Sequence, residues 1–231
     1  MSKNIVYSSE EILKYYQSHR NRWEDFYPSE KWVFERIATG DGQLGEVLDV
    51  GCAGGGLGKA LLERFTLSSY TGIDIHRGII EWAKENQKLN VPVQFFAEDI
   101  NVIDLKRSYD LVASLGCADW NIETSRIIQS CWDKVKPGGY FVGSLRLTDG
   151  EGINDIGKSY QYINFSGADN EPEVANYVVT NYNEAIAMLG ALDPAPELIG
   201  AYGYWGKPSG TAATPFSRIL FSVFFVRKEL K

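Results

Sequence analysis

Cysteine is scarce in this 231-residue sequence, and the three present, Cys52, Cys117 and Cys131, form neither close pairs nor a Cys/His ligand spacing. That pattern excludes a disulfide framework and a structural zinc site, so no metal is expected, and it points to a reducing compartment. Long apolar runs are also missing: nothing approaches the roughly 18 consecutive apolar residues of a membrane span. The opening MSKNIVYSSEEILKYY lacks the continuous apolar stretch of a secretory signal. The expected location is cytoplasmic, with no membrane partner. Basic residues are outnumbered, 23 Lys and Arg against 30 Asp and Glu for a net charge of −7, with no block of like charge. Phosphate backbones are held by basic patches, so no nucleic-acid partner is expected. Internal repeats and low-complexity linkers are absent. What remains, 44% hydrophobic and 23% charged residues, is the composition of a globular chain: one elaborated domain or a core with a modest cap.

Between residues 46 and 147, short apolar runs alternate with segments of helical period, the signature of a parallel sheet covered by helices. The runs EVLDV (46–50), YTGIDI (70–75), VPVQFF (91–96), YDLVASL (109–115) and YFVGSLRL (140–147) read as five parallel strands, with helices near 57–65, 77–89 and 122–135. Pro137-Gly138-Gly139 stops the third helix before the fifth strand. Two further runs, 197–205 and 217–228, read as a closing β-hairpin. Between them and the fifth strand lie a polar stretch, 148–170, left without assigned structure, and a helix from Glu184 to Leu192 capped by Asn181. Residues 1–45, helical around 10–17 and 28–37, form an N-terminal cap. The expected fold is an α/β, Rossmann-like, doubly wound, seven-stranded and mostly parallel sheet with a C-terminal antiparallel hairpin. The domain proper spans 46–231, with 148–180 as a substrate-side insertion.

The first strand runs into VLDVGCAGGGLG (47–58). Gly51, Gly54, Gly55 and Gly56 permit positive φ and let a ligand touch the backbone. Asp74, 23 residues after Gly51, ends the second strand, where a carboxylate accepts from ribose hydroxyls. Glu98-Asp99 follows the third strand. Asp49, Asp74 and Asp99 would face one crevice at the C-terminal edges of the strands. Asp49 is also a residue type favoured in turns and caps, and Asp99 one favoured in loops. A pyrophosphate would sit badly beside Asp49, whereas a ligand bearing an ammonium and a sulfonium would be favoured.

With VLDVGCAGGG, YTGIDIHRGIIEWAKEN, FFAEDI, YDLVASLG and VKPGGYFVGSL in order, the sequence resembles the class I S-adenosylmethionine-dependent methyltransferases over roughly residues 44–147 and the closing hairpin. The resemblance implies S-adenosyl-L-methionine as cofactor. It implies that Asp49 and the turn Gly51, Cys52, Ala53, Gly54 and Gly55 hold the methionine part. Asp74 and Ile75 would meet the ribose, Asp99 and Ile100 the adenine, and Gly116 the methionyl group. Ala53 stands where the family most often has glycine. Cys52 and Cys117 fall at strand ends near the site, where a buried cysteine ordinarily acts as a small hydrophobe.

Methyl transfer needs a general base only for a hydroxyl or a protonated amine, and two histidines leave few bases. Asp119, in the GCADWN loop, and His19, in the cap, are the catalytic candidates. His76 belongs beside the ribose. The GCADWN loop does not match the Asn/Asp-Pro-Pro-aromatic motif of many nucleic-acid and protein N-methyltransferases. Of the 30 aromatic residues only 8 lie in 46–139, against 8 in 1–45 and 14 in 140–231. Tyr15, Tyr16, Trp23, Phe26, Tyr27 and Trp32, with Tyr160, Tyr162, Tyr202, Tyr204 and Trp205, are candidates to roof a pocket over the sulfonium. Packing of the cap onto the sheet is the alternative use. Arg20 and Arg22 would meet an acidic acceptor or the cofactor carboxylate. The expected activity is methyl transfer to the oxygen or nitrogen of a small-molecule acceptor, sugar- or natural-product-like, with oligomeric state open. A nicotinamide- or nucleotide-sugar-dependent Rossmann oxidoreductase, or a non-catalytic binding protein on the same fold, are the alternatives.

Overall fold

Along β1 (Gln43–Val50) successive side chains go to opposite hydrophobic cores, Val47 to one and Leu48 to the other, as a strand buried on both faces requires. The computed structural model describes residues 10–163 and 173–230. The other elements are α1 (Glu10–Ser18), α2 (Pro28–Ile37), α3 (Gly56–Leu62), β2 (Thr66–Asp74), α4 (Arg77–Asn86), β3 (Val93–Ala97), β4 (Tyr109–Ser114), α5 (Thr124–Asp133) and β5 (Val135–Thr148). They continue through β6 (Tyr160–Tyr162), β7 (Val174–Asn176), β8 (Thr180–Asn181), α6 (Tyr182–Gly190), β9 (Leu198–Gly206), β10 (Ala212–Ala213) and β11 (Ile219–Arg227).

The main sheet runs β3-β2-β1-β4-β5-β11-β9, with β8 pairing beside β5. The first five strands are parallel; β11 is antiparallel to both β5 and β9, which is the closing hairpin read from the sequence. Apolar residues of α2, α3 and α4 fill the core on one face, and those of α5 and α6 fill the other. The order reverses between β1 and β4, so the C-terminal ends of those strands open the crevice where ligands of open α/β sheets bind.

Several boundaries differ from the sequence expectation. The helices end early, α3 at Leu62 and α4 at Asn86, the latter because Gln87 turns to extended backbone, though Leu89 still packs on the core. The fifth strand starts before Pro137-Gly138-Gly139 rather than after it. Gly138, at φ +77°, lets the chain bulge while its N–H and the Gly139 carbonyl stay paired with Lys228, at 2.9 and 3.0 Å.

The stretch after β5 is more ordered than its composition suggested. β10, β6 and β7 form a small antiparallel sheet, while 164–172, like 1–9, lie outside the described residues. Tyr177, Val179 and Ile219 form a third, smaller core beneath it. Asn181 caps α6 as expected, its Oδ1 accepting from the Asn183 amide at 2.8 Å. No helix among the described residues is long and apolar enough to cross a membrane.

Candidate functional site

The turn after β1 is built on left-handed backbone: Gly51 at φ +76°, Ala53 at +46° and Gly55 at +82°. A side chain at Gly51 would meet the Cys117 sulfur at 2.6 Å, so glycine is needed there for space as well as conformation. Ala53 has the same left-handed geometry without glycine's freedom, and an L-residue is strained there.

The amides of this turn are already engaged. Gly51 N and Cys52 N both donate to the Ile73 carbonyl at 2.8 and 3.0 Å, and Gly55 N donates to the Cys52 carbonyl at 2.8 Å. Ala53 N donates to Asp74 Oδ2 at 2.9 Å, and Asp74 Oδ1 accepts from His76 N at 2.9 Å. Burial raises the pKa of Asp74 against these backbone donors. Asp49, on the same sheet face, is fully buried, and its Oδ2 accepts from the Tyr70 hydroxyl at 2.5 Å. Burial, reinforced by the Asp74 charge, pushes Asp49 up to about 7 although Tyr70 and Arg20 oppose it. The crevice therefore holds one buried acid, Asp49, and one partly buried acid, Asp74, short of positive charge.

Further along the crevice, Asp99 Oδ1 accepts from the Asn101 amide and Asn101 Nδ2 at 2.9 and 3.0 Å, and Ser130 Oγ in turn donates to Asn101 Oδ1 at 2.9 Å. Ile100 is buried beside it. Gly116, at φ +60°, is exposed with open space where a Cβ would stand, and its amide donates to Ser144 Oγ at 2.6 Å. Ile75 follows Asp74 out of β2. Cys52 is buried and burial holds its thiol well above the ordinary range; Cys117 is pushed up to about 12 for the same reason. Both are packing groups rather than nucleophiles. Among the described residues no cluster of His, Cys, Asp or Glu could hold a metal ion.

The cap closes directly on the glycine turn. A Cβ on Gly54 would meet the Tyr16 carbonyl at 2.8 Å and the Trp82 ring at 3.1 Å, and one on Gly56 would meet the Arg20 carbonyl. Arg20 itself, at φ +56°, is paired with Glu30 inside the cap and lies over the Phe26 ring at 4.1 Å, with its Nε buried and without a hydrogen-bond partner among the described residues. Arg22 pairs at the surface with Glu24. His19 stacks on Tyr15 with centroids 4.4 Å apart, and partial burial together with the Arg20 charge pushes its pKa down to about 4.

The aromatic residues divide. Trp32 stacks on Tyr202 (5.2 Å, 23°), joining cap and hairpin, and Tyr204 packs on Phe221 within the hairpin. Trp23 is buried against Phe34 and Phe65 and belongs to the core. Trp205 does not roof the crevice. It pairs in register with Leu220, whose side chain packs into the α5–α6 core, while Tyr204 pairs with Phe221 on the other face. Strand alternation therefore puts Trp205 on the opposite side of the sheet, 43% exposed and under Arg218.

Asp119 lies inside a 3-10 turn, Ala118–Trp120. Its Oδ2 accepts from Arg146 Nε at 2.8 Å and its carbonyl from Arg146 Nη2 at 2.5 Å. Arg146 is a partner of Asp119 that the sequence reading did not single out. Its one available signal was a lone cation inside the otherwise apolar run YFVGSLRL.

Fold and crevice together define a Rossmann-like domain with an acid-lined, cation-favouring crevice. Residues 47–139 match the family model described as a methyltransferase domain. A malonyl-[acyl-carrier protein] O-methyltransferase from Acetivibrio thermocellus is 34% identical over 94 residues, covering 41% of this chain and 33% of that protein. A ubiquinone biosynthesis O-methyltransferase from Coxiella burnetii is 35% identical over 121 residues, covering 50% and 47%. The matches thus span less than half the length of these curated relatives. Among solved structures, the 1,6-didemethyltoxoflavin-N1-methyltransferase of Burkholderia thailandensis superposes with a TM-score of 0.57 at 19% identity, over 95% of this chain and 86% of that one. Over residues 47–139 the chain is thus similar to methyltransferase domains, and it shares the fold of solved S-adenosylmethionine-dependent methyltransferases.

Proposed function

We propose that this protein transfers a methyl group from S-adenosyl-L-methionine to an oxygen or nitrogen of a small-molecule acceptor. The observation that carries the reading is the state of the glycine turn. The amides of Gly51, Cys52, Ala53 and Gly55 are bonded within the protein, so they form no cradle for a pyrophosphate. The adjoining acids instead call for a cation. That speaks against a dinucleotide-dependent oxidoreductase. The O-methyltransferase names of the two curated relatives favour oxygen as the methylated atom.

When bound, the cofactor supplies an electrophilic methyl carbon on a sulfonium. The residues of this chain then have three tasks. Asp74 would use its remaining lone pairs for the ribose hydroxyls, and Asp99 with the Ile100 amide would meet the adenine edge. Asp49 and the turn 51–55 take the methionine part, with Gly116 leaving room beside it. The cap over Gly54 and Gly56 excludes water, and alignment of this kind supplies roughly 7–11 kcal/mol in favourable reactions. Charge is dispersed as a neutral thioether leaves, which a dry crevice favours.

Calorimetric titration with S-adenosylhomocysteine and with NAD tests the reading. Saturable binding of S-adenosylhomocysteine and none of NAD is expected; the reverse would overturn it. Release of S-adenosylhomocysteine across a panel of hydroxyl and amine compounds then identifies the acceptor.

A further inference from the structure

Resting on that reading, we infer that Asp119 and Arg146 form the recognition site for a hydroxyl group of the acceptor. Arg146 stands on β5 two residues beyond Ser144, which holds Gly116, so strand alternation places both on the cofactor face. Asp119 follows Gly116 by three residues. The pair lies at the C-terminal edge of β4 and β5, next to the position assigned to the methionyl group.

Both side chains are only 5% exposed. One edge of the guanidinium is consumed by Asp119, through Nε and Nη2. The rings of Tyr177 and Trp120 pack against it, their centroids 3.8 and 4.5 Å from Cζ. Nη1 and Asp119 Oδ1 are left buried with no hydrogen-bond partner among the described residues. A buried charged group left without a partner is costly, and most such atoms in folded proteins are paired. Here one donor and one acceptor of the same ion pair are left open together.

The chemistry of the missing partner follows from the pair. Its net charge is zero, so it offers no surplus attraction to an ion: a carboxylate would meet the Asp119 charge and an ammonium the Arg146 charge. A hydroxyl can serve either atom, accepting from Nη1 or donating to Oδ1. A methyl in its place would leave both unpaired, which is how a polar site rejects an analogue by large factors. Because both atoms are covered, the half-buried Trp120 ring must shift for the hydroxyl to enter.

The probes are phenol and cyclohexanol, each against its methyl counterpart, toluene and methylcyclohexane, titrated into protein saturated with S-adenosylhomocysteine and followed by ligand-observed NMR. At least one alcohol is expected to bind tenfold or more tightly than its counterpart, with a change in Trp120 fluorescence that W120F abolishes. In R146Q, and in R146K, which keeps the charge but lacks Nη1, the preference is expected to fall to within twofold while S-adenosylhomocysteine affinity stays unchanged. The double variant D119N/R146Q, which leaves no buried charge unpaired, is expected to behave alike, so misfolding of one variant does not decide the matter. Absence of any alcohol preference in the wild type, or its survival in R146Q or R146K, overturns the inference. Failure of the wild type to bind S-adenosylhomocysteine would instead overturn the cofactor reading.

Discussion

The Tyr70 hydroxyl donates to Asp49 at 2.5 Å across the buried floor of the glycine turn. It is the strongest influence holding the Asp49 carboxylate in its ionised form; burial works against it and lifts the group to about 7. Asp49 is therefore a carboxyl whose folded-state affinity for protons exceeds its unfolded one. Its contribution to stability is fully present below about pH 4 and is lost as pH rises through about 7.

Thermal melts of cofactor-free wild type and D49N between pH 5 and 8 test this directly. D49N should gain on the wild type as pH rises, because it lacks the charge that the wild type must bury. S-adenosylmethionine should restore the wild type at pH 8 by supplying positive charge, and its affinity should fall as pH drops below about 7. A pH-independent difference between the two proteins would remove Asp49 from this role.

Tyr70→Phe deletes the hydrogen bond and keeps the ring. We expect the Asp49 midpoint to move above its present value of about 7 and the affinity for S-adenosylmethionine at pH 7 to fall. Affinity equal to wild type from pH 6 to 8, measured by calorimetry, would contradict this.

Ala53 occupies left-handed backbone at φ +46°. Ala53→Gly relieves that strain and should stabilise the protein by about 1 kcal/mol in urea unfolding, the sign being opposite to the usual loss on introducing glycine. Loss of stability would mean that the turn is not strained.

Trp23 and Trp205 look alike in the sequence but should respond differently. Trp23→Ala removes a buried ring from the core and should cost about 3–5 kcal/mol. Trp205→Ala, at an exposed position under Arg218, should change stability by about 0.5 kcal/mol or less and leave turnover intact. Equal losses in urea unfolding would show that Trp205 is buried in solution.

Local chemistry made much of the crevice legible. Strand-like runs, a glycine turn and an acid at the end of each of the first two strands act through backbone conformation and short spacings. Asp74 and the turn residues accordingly meet where the sequence placed them, through the Ala53 amide. Asp119 was legible as a residue near the site but not as the partner of Arg146, which lies 27 positions away. Nothing in the loop GCADWN specifies that pairing; it depends on how far β5 runs past β4 and on where β7 lies.

The sequence by itself determined the parallel sheet, the hairpin, the cofactor turn and the acids that favour a cation, because periodicity and residue type act locally. Only the tertiary structure decided which face each aromatic serves, that Arg20 pairs with Glu30 within the cap, and that one ion pair keeps a donor and an acceptor open. Those outcomes depend on register between distant strands, where a shift of one residue exchanges the two faces of the sheet.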